Sequence, residues 1–244
     1  MCYTDDARPP LPPISGAAAD TGDVTLKASD GNELMAHFAR AENPSGAGMV
    51  VMPDVRGLHH FYKELALRFA EAGVHAVAFD YFGRTAGLTG RDEEFPYREH
   101  MEKIDFGQVT QDASAACDVL AGIDGVTSVF TVGFCFGGAM SWRQSASPSG
   151  YAGNIGFYGI PSRVVDVVPQ MRAPLLCLAA GKDFTPVEEV QAFAGSVRAA
   201  GPGADVHVYP DAPHSFFDRT FAEHAAACAD AWHQMLAFID SHAT

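Results

Sequence analysis

Residues 128–138 read SVFTVGFCFGG, an apolar run that ends in a glycine-flanked cysteine followed by two more glycines. The run predicts a buried strand, and the residues after it predict a helix entered through a sharp turn. Gly133, Cys135 and Gly137 then form a G-x-C-x-G version of the nucleophile elbow. Such a turn is tight enough that small residues must flank its central residue. The Cys135 side chain would project from the sheet at a helix N-terminus, where free N–H groups and the helix dipole favour a thiolate. The Phe136 N–H would be left to hold an oxyanion. The plainer alternative is a buried structural thiol, with the glycines serving close helix–strand packing. The strand–turn–helix setting favours the nucleophile.

The same alternation continues on both sides. VTLKAS (24–29) and ELMAHFAR (33–40) flank the turn Asp30-Gly31-Asn32 and read as a hairpin. MVVM (49–52) precedes a helix in which Phe61, Leu65 and Phe69 share a face. VHAVAF (74–79), a long polar connection and a helix over 108–121 come next. NIGFYG, LLCLAA and DVHVYP supply three further strands, with helices predicted at 187–200 and 221–241. Continuous apolar strands alternating with helices indicate an α/β fold, a mostly parallel sheet covered by helices on both faces. Ligands of such sheets bind beyond the carboxyl ends of the strands, so chemistry is expected in those loops. Residues 1–22 are Pro-rich and lack either period, which predicts an extended or disordered arm ahead of a single domain over 23–244.

Composition narrows the function classes. The 244 residues carry a net charge of −14, which disfavours nucleic acid and anionic membrane surfaces as partners. No stretch approaches the ~20 apolar residues of a membrane span, and the acidic start MCYTDDARPP lacks a signal-peptide pattern, so a cytoplasmic location is expected. Cys2, Cys117, Cys135, Cys177 and Cys228 are scattered without a C-x-x-C pair, which suggests neither a disulfide framework nor zinc. Of these, Cys117, Cys177 and Cys228 read as buried thiols. The histidines and acids show no metal-ligand spacing, and no G-x-G-x-x-G follows a strand, so neither a metal nor a cofactor is expected.

Two partners for Cys135 occur in the chain order nucleophile, acid, histidine. Asp183 follows LLCLAA, and His214 follows DVHVYP. His214 would take the thiol proton and later return it to the leaving group. Asp183 would fix the imidazole tautomer. Taken singly, Asp183 could instead cap the next helix and His214 could be an ordinary loop histidine. Their joint placement supports a triad.

The elbow GFCFGG, the loop GKD and the loop PHSF together resemble the dienelactone hydrolases, over about residues 24–241. The resemblance implies an α/β-hydrolase fold, a Cys135–His214–Asp183 triad and no cofactor. It also implies hydrolysis of a small anionic enol-lactone, a dienelactone giving maleylacetate in the degradation of aromatics. Asp54 stands where the family pattern has a glutamate that pairs with the resting thiol, and the Val55 N–H would be the second oxyanion donor. Arg84 matches a residue that binds the substrate carboxylate. Arg219 resembles a second such residue, displaced one position further from the histidine. Asp54 could equally be a loop acid, and either arginine a surface charge. Because aspartate is the shorter side chain, Asp54 is expected to retreat from the sulfur and leave Cys135 with a lowered pKa. The alternatives are a broader carboxylesterase or thioesterase with the same triad, and a non-catalytic ligand-binding member of the fold.

Overall fold

The computed structural model describes residues 6–92 and 94–244, so Cys2 and the first residues of the expected arm lie outside it. The opening hairpin pairs β1 (Ala18–Lys27) with β2 (Glu33–Ala41), and Gly31 at φ 91° supplies the left-handed turn residue between them. Then come β3 (Ala47–Met52), α1 (His60–Glu71), β4 (His75–Phe79) and the short helices α2 (Gly83–Ala86) and α3 (Tyr97–Met101). The chain continues through α4 (Phe106–Ala121), β5 (Ser128–Phe134), α5 (Phe136–Arg143) and β6 (Gly153–Phe157). It ends with β7 (Leu175–Lys182), α6 (Val187–Ala200), β8 (Ala204–Pro213) and α7 (Ala225–His242). The strands lie in the order β1-β2-β4-β3-β5-β6-β7-β8, with the pairs β1–β2 and β2–β4 antiparallel and the rest parallel.

Strand β3 shows why the central runs are apolar throughout. Met49 and Val51 join the layer built with Phe61, Leu65 and Phe69 of α1 and Trp232 and Met235 of α7. Val50 and Met52 join the opposite layer, with Val109 and Leu120 of α4, Met140 of α5 and Val197 of α6. A strand buried on both faces has no position left for a polar side chain.

The expected boundary at residue 23 moves toward the N-terminus. Residues 18–22 already belong to β1, an edge strand whose polar, largely exposed sequence carries no apolar alternation. Further upstream, the Trp232 Nε1–H donates to the Pro10 carbonyl at 3.0 Å and the Ser15 N–H donates to the Glu71 carbonyl at 2.8 Å. The described part of the arm is thus fastened to α7 and α1. The polar connection after β4 contains α2 and α3, and the last helix starts at Ala225 rather than 221. Among the described residues no helix is long and apolar enough to cross a membrane.

Candidate active site

Strand β5 delivers Cys135 into an elbow at φ 55° and ψ −112°, a left-handed conformation that a non-glycine residue adopts only when its surroundings enforce it. The enforcement comes from close backbone packing. A Cβ at Gly133 would lie 1.9 Å from the Gly137 carbonyl oxygen, and one at Gly137 would lie 2.1 Å from that of Pro53. One at Gly138 would lie 2.4 Å from the Phe157 carbonyl oxygen. The three glycines therefore seat α5 directly on the ends of β3, β5 and β6. The Cys135 N–H donates to the Phe157 carbonyl at 3.1 Å, and the neighbouring Phe136 N–H acts on the sulfur in the direction that favours a thiolate. Val55, in the loop after β3, is half-buried, and its N–H has no acceptor among the described residues.

The acid and the histidine meet because of strand register. Strands β7 and β8 run parallel with Lys182 opposite Pro213, so the next residue of each, Asp183 and His214, emerges at the same end of the sheet. His214 Nδ1 lies 2.9 Å from both carboxylate oxygens of Asp183, whose side chain is only 2% exposed. That contact leaves Nε2 as the free nitrogen. The imidazole also sits between two rings, Phe184 at 4.5 Å and Tyr158 at 4.8 Å. Cys135 and His214 do not hydrogen-bond to each other in the resting geometry.

The thiol is not activated at rest. Burial first, then the charges of Asp54 and Asp218, push Cys135 up to about 12, against which the Phe136 N–H and Arg163 act in the lowering direction. This reverses the expectation that a shortened Asp54 would free a low-pKa thiol. Asp54 is fully buried; its Oδ1 accepts from the Arg56 N–H at 2.9 Å, its own N–H donates to the Tyr62 hydroxyl at 3.0 Å, and its charge still reaches the sulfur.

Of the two arginines carried over from the resemblance, one is paired with acids and the other is exposed. Arg84 is enclosed by Asp30, in the hairpin turn, and by Asp112 of α4, with four N–H···O contacts to the two carboxylates. A third carboxylate arriving there would face two already in place. Arg219 is exposed, and the preceding position, where the pattern puts its arginine, holds the buried Asp218. Arg163, in the one-turn helix Pro161–Arg163 after β6, instead lies with its guanidinium carbon 5.3 Å from the centre of the Phe136 ring.

Sequence reading missed Tyr158, Asp218 and Arg163. Tyr158 and Ser215 share with Cys135 a positive φ, at 38° and 61°, and nothing in a non-glycine residue advertises that. Asp218 had one visible signal, an acid set directly after the apolar pair Phe216 and Phe217. Asp80, the other acid near the strand ends, is held in a fully buried pair with Arg91 at 2.9 Å. Among the described residues no group of histidine, cysteine and acids is arranged to hold a metal.

A mostly parallel eight-stranded sheet, with a strained residue between β5 and α5 and an acid and a histidine after the last two strands, defines an α/β-hydrolase fold. The chain belongs to the dienelactone hydrolase family, whose model matches residues 34–243, and is a carboxylic ester hydrolase of that kind. A Rhodococcus opacus carboxymethylenebutenolidase is 26% identical over 260 residues, covering 100% of this chain and 98% of the relative. Among solved structures, a dienelactone hydrolase-like promiscuous phosphotriesterase from metagenomic libraries superposes with TM-score 0.75 at 24% identity, over 94% of this chain and 100% of the other. The Pyrococcus furiosus esterase Pf2001 shares the fold at TM-score 0.70 and 15% identity, over 96% of this chain and all of the esterase.

Proposed function

We propose that this protein is a cysteine-dependent cytoplasmic hydrolase that opens a small lactone or ester through a thioester acyl-enzyme, with Cys135, His214 and Asp183 as its triad. The observation that carries the reading is the enforced elbow at Cys135, which sets the residue at the N-terminus of α5.

In the reaction the Cys135 side chain turns toward His214 Nε2, which accepts the thiol proton while the sulfur attacks the carbonyl carbon. Catalytic hydrogen bonds that are long in a free enzyme commonly close only with substrate in place. The Phe136 and Val55 N–H groups hold the oxyanion. Collapse breaks the ring C–O bond, and the departing oxygen takes the proton from the imidazolium. Water, deprotonated by His214, then attacks the thioester; the carboxylic acid leaves and the thiol regains its proton. Asp183 holds the ring and its tautomer throughout.

The family substrate, an anionic enol-lactone of the dienelactone type giving maleylacetate, is the first substrate to try. The pairing of Arg84 with Asp30 and Asp112 favours a second reading, a broader esterase. If the substrate carries a carboxylate, Arg163 is the cation beside Phe136 that would meet it.

The test combines turnover and trapping. Cys135→Ala should abolish hydrolysis of both a carboxylate-bearing lactone and p-nitrophenyl acetate. Mass spectrometry of quenched wild-type reactions should find the acyl group on the peptide containing Cys135. Full activity in Cys135→Ala, or an adduct on another cysteine, would overturn the mechanism.

A further inference from the structure

Asp218 is an acid that the triad does not use, yet it lies among the triad's neighbours. It is 1% exposed. Its Oδ1 accepts the Tyr158 hydroxyl at 3.0 Å, and its Oδ2 is buried with no hydrogen-bond partner among the described residues. Among the described residues it makes no ion pair to a lysine or arginine. Tyr158, which holds it, is itself strained at φ 38° and packs its ring at 4.8 Å from that of His214.

The charged and titratable groups around Asp218 come from five elements. They are Asp54 after β3, Cys135 at the elbow, Tyr158 after β6, His214 after β8 and Cys228 on α7. All but His214 become negative on losing a proton, and of these Asp54 and Cys135 stand at the reacting end. A buried carboxylate with one side-chain donor, facing a second buried acid, is expensive to ionise.

We propose that Asp218 is a positioning residue of the active site, holding Tyr158 against the His214 ring and setting, through its own charge, how firmly Cys135 keeps its proton. While Asp218 carries a proton it acts only through the Tyr158 hydrogen bond. When it releases that proton to solvent, it adds a negative charge whose field reaches the sulfur, and thiolate formation becomes harder. Burial, then the charge of Asp54, raise the carboxyl to about 7, so this change falls in the working range of pH. Asp218 thus couples the reactivity of the nucleophile to pH without touching substrate.

The inference rests on the proposed triad only for the identity of the thiol, and its test uses no substrate. The rate of iodoacetamide alkylation at Cys135, read at the peptide level against pH, should move to lower pH in Asp218→Asn. The expected displacement is roughly half to one pH unit, the size that one nearby charge produces in partly wet protein. The asparagine keeps the acceptor for Tyr158, so a purely structural role would leave the profile where it was. In wild-type protein labelled at its aspartate carboxyl carbons, one resonance should titrate around neutrality, and it should be missing in Asp218→Asn. Tyr158→Phe, which removes the donor that favours the anion, should push that titration higher. Superimposable alkylation profiles, or a wild-type spectrum in which every aspartate titrates in the ordinary acid range, would overturn the proposal. Should Cys135→Ala retain hydrolysis while these titrations behave as stated, the proposed function fails and the Asp218 coupling stands.

Discussion

Cys135 shows two local influences pulling in opposite directions, and their sizes decide the outcome. A helix N-terminus is worth about 0.3–1 kcal/mol to a nearby anion. The rise of the thiol from 9.0 to about 12, led by burial, corresponds to about 4 kcal/mol against it. The resting sulfur is therefore a protected thiol, and wild-type Cys135 should alkylate slowly at neutral pH when no substrate is present. Asp218 makes a second prediction at this scale, in stability rather than reactivity. Its folded value of about 7 lies above the ordinary 3.8, so the fold prefers the neutral acid. That preference is fully felt below about pH 4 and is lost as pH rises through 7. Replacing it by the always-neutral amide should leave stability near wild type at about pH 3.5, below the ordinary carboxyl value. Above pH 8 Asp218→Asn should be the more stable protein, by up to about 4 kcal/mol. Urea unfolding at the two pH values measures the difference, and an equal offset at both would contradict the buried, neutral Asp218.

Between elements, Arg84 is a fastener. It joins the hairpin turn through Asp30, its own short helix α2, and α4 through the buried Asp112. Arg84→Met should strand Asp112 without a cation and cost about 1–3 kcal/mol, below the range for a fully enclosed pair because the arginine is partly exposed. The ratio of turnover on a carboxylate-bearing lactone to that on a neutral ester should not change; a selective loss on the anionic substrate would return Arg84 to the site. Elements that are buried on both faces were legible in the sequence, because β3 through β7 are apolar along most of their length, with few polar side chains such as the hydrogen-bonded Thr131 and Asn154. The elbow was legible because its glycines are required by backbone contacts. Asp183 and His214 were legible because each directly follows an apolar strand. Residues 18–22 of strand β1 were not, since an exposed stretch of edge strand needs no apolar period. The partners of Arg84 are 54 and 28 residues away, and Tyr158 lies 60 residues from Asp218. Such pairings depend on how the sheet is ordered, and no local pattern records them.

For the molecule as a whole, a net charge of −14 works against any anionic substrate before it reaches the sheet edge. Recognition of a carboxylate then needs a cation placed close enough to outweigh that field. Arg163 meets the condition on geometry: it is half-buried against the Phe136 ring, no acid pairs with it among the described residues, and its charge reaches Cys135. A charge-assisted hydrogen bond of about 1.5–3 kcal/mol converts to roughly a ten- to hundredfold change in affinity. Arg163→Met should therefore raise KM for a carboxylate-bearing lactone by roughly that factor while leaving KM for a neutral ester within about twofold. Salt separates the local charge from the global one. Added salt screens the long-range repulsion, whose reach is about 10 Å at 0.1 M, more strongly than a short, half-buried contact. In Arg163→Met only the repulsion is left, so kcat/KM for the anionic lactone should rise as salt is added. In the wild type the two effects oppose and the rise should be smaller. Equal KM changes for both substrates, or identical salt responses in the two proteins, would show that Arg163 does not read the substrate's charge and that the site serves neutral esters.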